Sequence, residues 1–99
     1  MYVIIWEFIV KSGREDEFEQ AYGAGGLWVQ FFRRDEHYLG TELINDIVEP
    51  QRYLTIDRWT SESTYRDFRE RNLSEYELLD RQCEHLMDSE TPLGAFSVV

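Results

Sequence analysis

The run Tyr2–Val10, YVIIWEFIV, constrains this chain more than any other stretch. It is β-branched and aromatic, too short and too apolar for a surface helix, and it predicts a strand ended by Ser12-Gly13. Even positions carry Tyr2, Ile4, Trp6, Phe8 and Val10, and odd positions carry Val3, Ile5, Glu7 and Ile9. A strand that is apolar on both sides is buried on both sides, so whatever sheet contains it needs two covered faces.

The remaining pattern supplies only one cover. Arg14–Tyr22 predicts a helix with acids early, where they oppose the positive end of the dipole. Gly23, Gly25 and Gly26 break it, and Leu27, Trp28, Phe31 and Phe32 predict a short second helix with Arg33-Arg34 at its end. Tyr38–Val48 and Arg52–Thr60 predict two strands joined at Glu49-Pro50-Gln51. In the second strand, Leu54 and Ile56 face one way and Tyr53, Thr55, Asp57 and Trp59 the other. Ser61–Arg71 predicts a helix capped by Ser61 or Thr60. Ser74-x-x-Glu77 has the form of a capping box for a further helix, with Tyr76, Leu79, Cys83, Leu86 and Met87 on one side. Leu93–Val99 predicts the last strand. The order is β, α, β, β, α, β with both helical regions split: an α+β, ferredoxin-like split βαββαβ unit with a four-stranded antiparallel sheet. Its helices cover one face. A second copy packed sheet to sheet covers the other, giving a homodimer with a barrel-like core.

The 99 residues suit one domain, 1–99. Acids outnumber bases 20 to 10, a net charge of −10, which argues against nucleic acid and anionic membrane as partners. The acids are spread along the chain as a solvated surface. One cysteine, Cys83, excludes an intrachain disulfide and a cysteine-rich zinc site. No apolar run approaches the length of a membrane span, and Met1 leads straight into the first strand. The expectation is a soluble, cytoplasmic protein.

The segments IWEF (Ile5–Phe8), Phe18 to Tyr22-Gly23, YLGTELINDI (Tyr38–Ile47) and RYLTIDRWTS (Arg52–Ser61), with Tyr65 and Phe68 behind them, resemble the antibiotic biosynthesis monooxygenase family. The resemblance covers nearly the whole chain and implies a dimeric α+β barrel. It points to cofactor-free oxygenases of phenols and quinols, to haem-degrading enzymes, and to members without known activity. Aligned on Trp59-Thr60-Ser61, the haem-degrading branch would place a Trp at Phe68, a His at Leu78 and an Asn near Trp6. All three differ, so an axial haem ligand is missing. The phenol oxygenases imply a pocket between sheet and helices, for which Trp59, Asn45 and Tyr65 are the orienting candidates and Trp6, Tyr53, Arg58 and Phe68 the lining ones. Such chemistry needs no cofactor or metal: the protein orients or deprotonates an electron-rich phenol, whose anion reduces oxygen directly.

Glu7 is the one acid in the apolar first strand. Buried, it serves as a general base; alternatively it pairs with Arg52 or Arg58 across the sheet. Asn45, Asp46 and Asp57 form either a polar pocket floor or a solvated rim. His37, beside Asp35 and Glu36, is a second base candidate or a loop histidine. His85 falls on a polar helix side, and Cys83 on the apolar stripe as a small hydrophobe. The leading reading is a dimeric cofactor-independent monooxygenase-like enzyme for a small aromatic, phenolic or quinol-type substrate. The rivals are a ligand-binding protein of the same fold and a structural dimer whose pocket is filled by its own side chains.

Overall fold

Tyr2–Val10 forms strand β1, one of the two central strands of the sheet. In the computed structural model, which describes residues 1–99, it is followed by α1 (Glu15–Tyr22), α2 (Leu27–Phe32), β2 (Tyr38–Asn45), β3 (Arg52–Trp59), α3 (Glu62–Arg71), α4 (Leu73–Cys83) and β4 (Met87–Ser97). A 3₁₀ turn, Glu84–Leu86, leads into β4. The four strands are antiparallel in the order β2-β3-β1-β4. This is the α+β, ferredoxin-like arrangement that the element order predicts.

Register assigns the two faces. Tyr2, Ile4, Trp6 and Phe8 stand opposite Trp59, Asp57, Thr55 and Tyr53, and this set faces the helices. Between sheet and helices lies an aromatic core in which Trp59, Phe18, Phe68 and Val10 are sealed from solvent. The far face carries Val3, Ile5, Glu7 and Ile9 of β1 and Arg52, Leu54, Ile56 and Arg58 of β3. Ile44 of β2 and Phe96 of β4 extend it, and both are exposed. No element of the chain covers this apolar face.

Several boundaries differ from the sequence expectation. β2 stops at Asn45, because the Asp46 carboxylate accepts the N–H groups of Val48 and Glu49 at 2.8 and 3.1 Å and turns the chain. The capping box lies at Ser61, not Ser74: Ser61 Oγ accepts Thr64 N–H at 3.2 Å, and Thr64 Oγ1 accepts Ser61 N–H at 3.3 Å. Helix α4 starts at Leu73, one residue after Asn72, whose backbone N–H and Nδ2 both donate to Phe68 O and close α3. Leu86 and Met87 do not continue the helical stripe. They are buried instead because Leu86 O accepts Lys11 N–H and Met87 pairs with Val10. Ser61→Ala, which removes half of the box, is expected to cost about 1 kcal/mol in urea unfolding.

β4 therefore begins six residues before Leu93, and it is not regular. Met87 pairs with Val10 but Ser89 with Ile9, so Asp88 is an extra residue. Gly94 pairs with Ile5 but Pro92 with Trp6, so Leu93 is another. Gly94 has φ +151°, a conformation that a side chain at this position would strain, and a Cβ there would lie 3.0 Å from the Phe96 ring. Between these two bulges Glu90 and Pro92 join the helix-facing set, opposite Phe8 and Trp6.

Candidate functional site

The layers do not fill the space between them completely. A chamber of about 30 Å³ crosses the helix face of the sheet. Its floor carries one or two side chains from every strand: Thr41 of β2, Thr55 and Asp57 of β3, Trp6 and Phe8 of β1, and Glu90 of β4. Its roof is Tyr22, Trp28 and Phe32 from the α1–α2 region, with Tyr76 and Asp80 of α4.

The walls are aromatic and tightly fixed. The Trp28 ring meets Tyr76 edge-on at 5.2 Å and Phe32 at 5.7 Å between centroids. The Trp28 Nε1–H is buried and has no acceptor. Burial pushes the Tyr22 and Tyr76 phenols far above their ordinary range, so both are neutral donors.

The polar groups are carboxyls. Burial pushes Asp57 up to about 6, offset in part by the Thr41 hydroxyl, which donates to its Oδ1 at 2.5 Å. Thr41 Oγ1 lies 2.6 Å from Tyr38 Oη, so a short hydroxyl chain runs from Tyr38 to Asp57. Glu90 is exposed at the rim of the chamber, where partial desolvation and then the charge of Asp80 push it up to about 7. Asp80 is itself raised, first by burial, against the favourable pull of Arg69. A carboxyl that titrates between 6 and 7 can take or return a proton near neutral pH, which an ordinary aspartate or glutamate does poorly. No group of three or more His, Cys, Asp or Glu is arranged to hold a metal ion.

The model of the antibiotic biosynthesis monooxygenase family matches residues 1–75. The chain belongs to this family. The matched part carries all of the chamber except Tyr76, Asp80 and Glu90. Solved structures agree on the fold of this monooxygenase-family domain. SnoaB, a cofactor-independent oxygenase from Streptomyces nogalater, superposes with TM-score 0.77 at 18% identity, covering 99% of this chain and 92% of that one. A protein from Bordetella bronchiseptica that carries the family's description gives 0.75 at 22% identity, covering 99% and 96%. A conserved protein from Methanosarcina mazei gives 0.77 at 11%, covering 99% and 92%. No curated protein matches the chain in sequence.

The domain scatters the residues singled out from sequence. Trp6 lines the chamber. Trp59, Tyr65 and Phe68 lie in the core beside it, with Trp59 against Phe32 at 5.6 Å, one side chain removed from the chamber. Tyr53 is also core, its hydroxyl donating to Glu19 Oε2 at 2.5 Å. Glu7 is on the far face of the sheet, where Arg52 Nε donates to it at 2.7 Å and Arg52 also reaches Asp46 at 3.1 Å. Arg58 is on that far face too, paired with Glu42 at 2.7 Å. Asn45 sits at the strand end, its Nδ2 donating to Pro50 O and Arg52 O, so it clamps the β2–β3 turn. His37 is in the α2–β2 loop with Nδ1 2.9 Å from Asp35 Oδ1. The chamber of this family member thus draws on Asp57, Glu90, Asp80, Thr41 and Trp28. Of these, only Asp57 stood out in the sequence as a pocket group. The alternation Tyr53-Thr55-Asp57-Trp59 was the signal for it: a carboxylate flanked by inward-facing aromatics.

Proposed function

We propose that the chain is a homodimeric, cofactor-independent monooxygenase-like protein acting on a small phenol or quinol-type aromatic, and that the chamber is its site. The observation that carries this reading is the Asp57 carboxyl, tuned to about 6 inside an aromatic enclosure. Family membership and the likeness to SnoaB support it.

In this reading Trp6, Trp28 and Tyr76 flank a planar ring, and Asp57 accepts the phenol proton. The phenolate, richer in electrons than the phenol, reduces oxygen at the activated ring carbon. For a ring methylene, two hydrogens leave the carbon, one oxygen atom stays as a carbonyl, and the other departs as water. The four electrons come from the substrate, so the step balances without an added reductant. The protein supplies position, a proton acceptor and exclusion of bulk water. Trp59 and Tyr65 contribute by holding Phe32 and the sheet in place.

The dimer is supported by the uncovered sheet face. Its apolar centre, Ile5 opposite Ile56, is flanked by the Glu7–Arg52 and Glu42–Arg58 pairs, which leaves a greasy patch with satisfied charges at its borders. Ile56→Asp puts a carboxylate in that centre, and native mass spectrometry is expected to show the variant as a monomer where the parent is a dimer.

Oxygen uptake with small phenols that carry a ring methylene tests the chemistry. Uptake matched by one product carbonyl per oxygen supports it, and no uptake with any of them overturns it. The chamber volume favours a second reading. About 30 Å³ is room for roughly one water, so a ring enters only if the walls part. A chamber that stays closed makes the chain a non-catalytic dimer filled by its own side chains. Ligand-induced quenching of Trp6 and Trp28 fluorescence separates the two.

A further inference from the structure

Tyr38 and Thr41 stand three residues apart in β2, a spacing that puts side chains on opposite faces of a regular strand. Here they share a face. Tyr38 pairs with Trp59 and Gly40 with Arg58, so Leu39 is an extra residue, and Thr41 returns to the helix side opposite Asp57. Gly40, at φ +134°, accommodates the bend. The bulge brings the two hydroxyl oxygens to 2.6 Å. Thr41 spends its one hydroxyl hydrogen on Asp57 Oδ1, so it accepts the hydrogen of Tyr38, and the chain has a direction.

The two ends of this chain lie in different places. Asp57 and Thr41 line the chamber. Tyr38 and Thr41 line a separate surface groove of about 330 Å³, open to solvent. Thr41 is therefore the partition between chamber and groove, and two hydroxyls join the enclosed carboxyl to the outside. Burial raises the Tyr38 phenol above its ordinary value, so it keeps a hydrogen to pass on, and the charge of Arg33 in the same groove pulls the other way.

We propose that Thr41 and Tyr38 form a proton relay that carries the substrate's phenol proton from Asp57 to the groove. The relay rests on the reading of Asp57 as the base and adds the residues that reset it. A ring seated in the chamber shuts that carboxyl off from water. Where the methylene lies across the ring from the hydroxyl, the reduced oxygen forms out of reach of Asp57 and takes its proton from water at the exposed Glu90 rim. Asp57 must then discharge by another route. The acid form of Asp57 gives its hydrogen to Thr41 Oγ1, Thr41 gives its own to Tyr38 Oη, and Tyr38 gives its own to water in the groove. One O–H bond breaks and one forms at each hydroxyl, the carboxylate is restored, and no electrons move. One proton leaves by the groove for each one taken up at the rim.

Steady-state oxygen uptake on the full-length protein tests the relay, with anthrone as the first probe and other ring-methylene phenols after it. The enol of anthrone is a phenol with its methylene carbon across the ring from the oxygen. Tyr38→Phe keeps the ring against Phe32 and Trp59 and removes only the outer hydroxyl. Its kcat is expected to fall by about tenfold or more while kcat/KM is retained, because the relay acts after the substrate has given up its proton. Thr41→Val is expected to lose kcat as well, and Thr41→Ser, which keeps the chain, to retain it. Should Thr41→Val not fold, the parent decides: its kcat in mixtures of light and heavy water is expected to curve with deuterium content, the signature of more than one proton in motion. Unchanged kcat in Tyr38→Phe, an equal loss of kcat and kcat/KM, or a straight line in the water mixtures overturns the relay and leaves the phenol reading standing. No uptake by the parent with any of these phenols overturns both.

Discussion

Asp57→Asn is expected to abolish turnover and to stabilise the protein. Oxygen uptake falls by about 10²–10⁴-fold, the usual loss when a general base is removed. Stability at pH 7.5 rises by about 1–2 kcal/mol, several degrees in Tm. The sign follows from the direction in which burial moves the carboxyl. Burial holds it at about 6 in the folded protein against an ordinary value of 3.8, so the folded state binds this proton more tightly than the unfolded chain. The resulting stabilisation is fully present below about pH 4 and is lost as pH rises through 6. At pH 7.5 the folded protein bears an ionised carboxylate in an aromatic enclosure, and asparagine removes that cost while keeping an oxygen for the Thr41 hydroxyl. The distance between the two titration points caps the gain at about 3 kcal/mol, and contact with the chamber mouth reduces it. Glu90, raised to about 7, acts in the same sense. Asp46, held low by the N–H groups of Val48 and Glu49, acts in the opposite sense and weakens the fold in stronger acid. Thermal melts between pH 4 and 8 are therefore expected to peak near pH 5, with a flatter descent to pH 7 in Asp57→Asn. Equal slopes in parent and variant would remove Asp57 from the explanation, and unchanged oxygen uptake would remove it from the chemistry.

Trp59→Ala is expected to cost about 3–5 kcal/mol, enough to leave a domain of this size barely folded. The ring is sealed from solvent and packs against Phe32, Tyr38, Tyr65 and Phe68 at centroid distances of 5.3 to 5.6 Å. Deleting it opens a void that aromatic neighbours held on separate elements cannot collapse to fill. Trp59→Phe keeps most of the contact and also removes an indole N–H that has no acceptor, so its cost is far smaller. Urea titrations of both variants check the order. A folded Trp59→Phe protein that has lost turnover would return this residue from the core to the site.

The difference between Trp59 and Asp57 shows what this sequence discloses. The run Tyr2–Val10, apolar at both parities, gives a strand and the need for a second cover, and the period-two alternation in Arg52–Trp59 gives a strand and its faces, because burial acts on each residue where it stands. The split helices are legible in the same way, from glycines and apolar spacing. The site is less so. Trp59, Tyr53 and Phe68 have the composition of a pocket wall and serve as core, since aromatics that pack against each other look the same in sequence as aromatics that wait for a ligand. Glu7 stands out by its apolar neighbours, but its face is decided by parity with Val3 and Ile5, and parity puts it beside Arg52. Glu90 and Asp80 are two among twenty acids. Nothing local distinguishes them, because their setting is made by strand pairing and by a helix packed over it.

The two extra residues in β4 have a consequence for how such a pocket changes over time. A strand running without interruption from inward Met87 would turn Ser89 and Thr91 inward and Glu90 out. The offset at Asp88 reverses that phase, and the one at Leu93 restores it, so only the short stretch between them is inverted. Losing the offset at Asp88 would trade an acidic rim for a hydroxyl-bearing one with every amino acid kept. Descent by insertion and deletion, rather than by substitution, can thus retune the lining of this chamber, and aligned positions in β4 need not be equivalent ones.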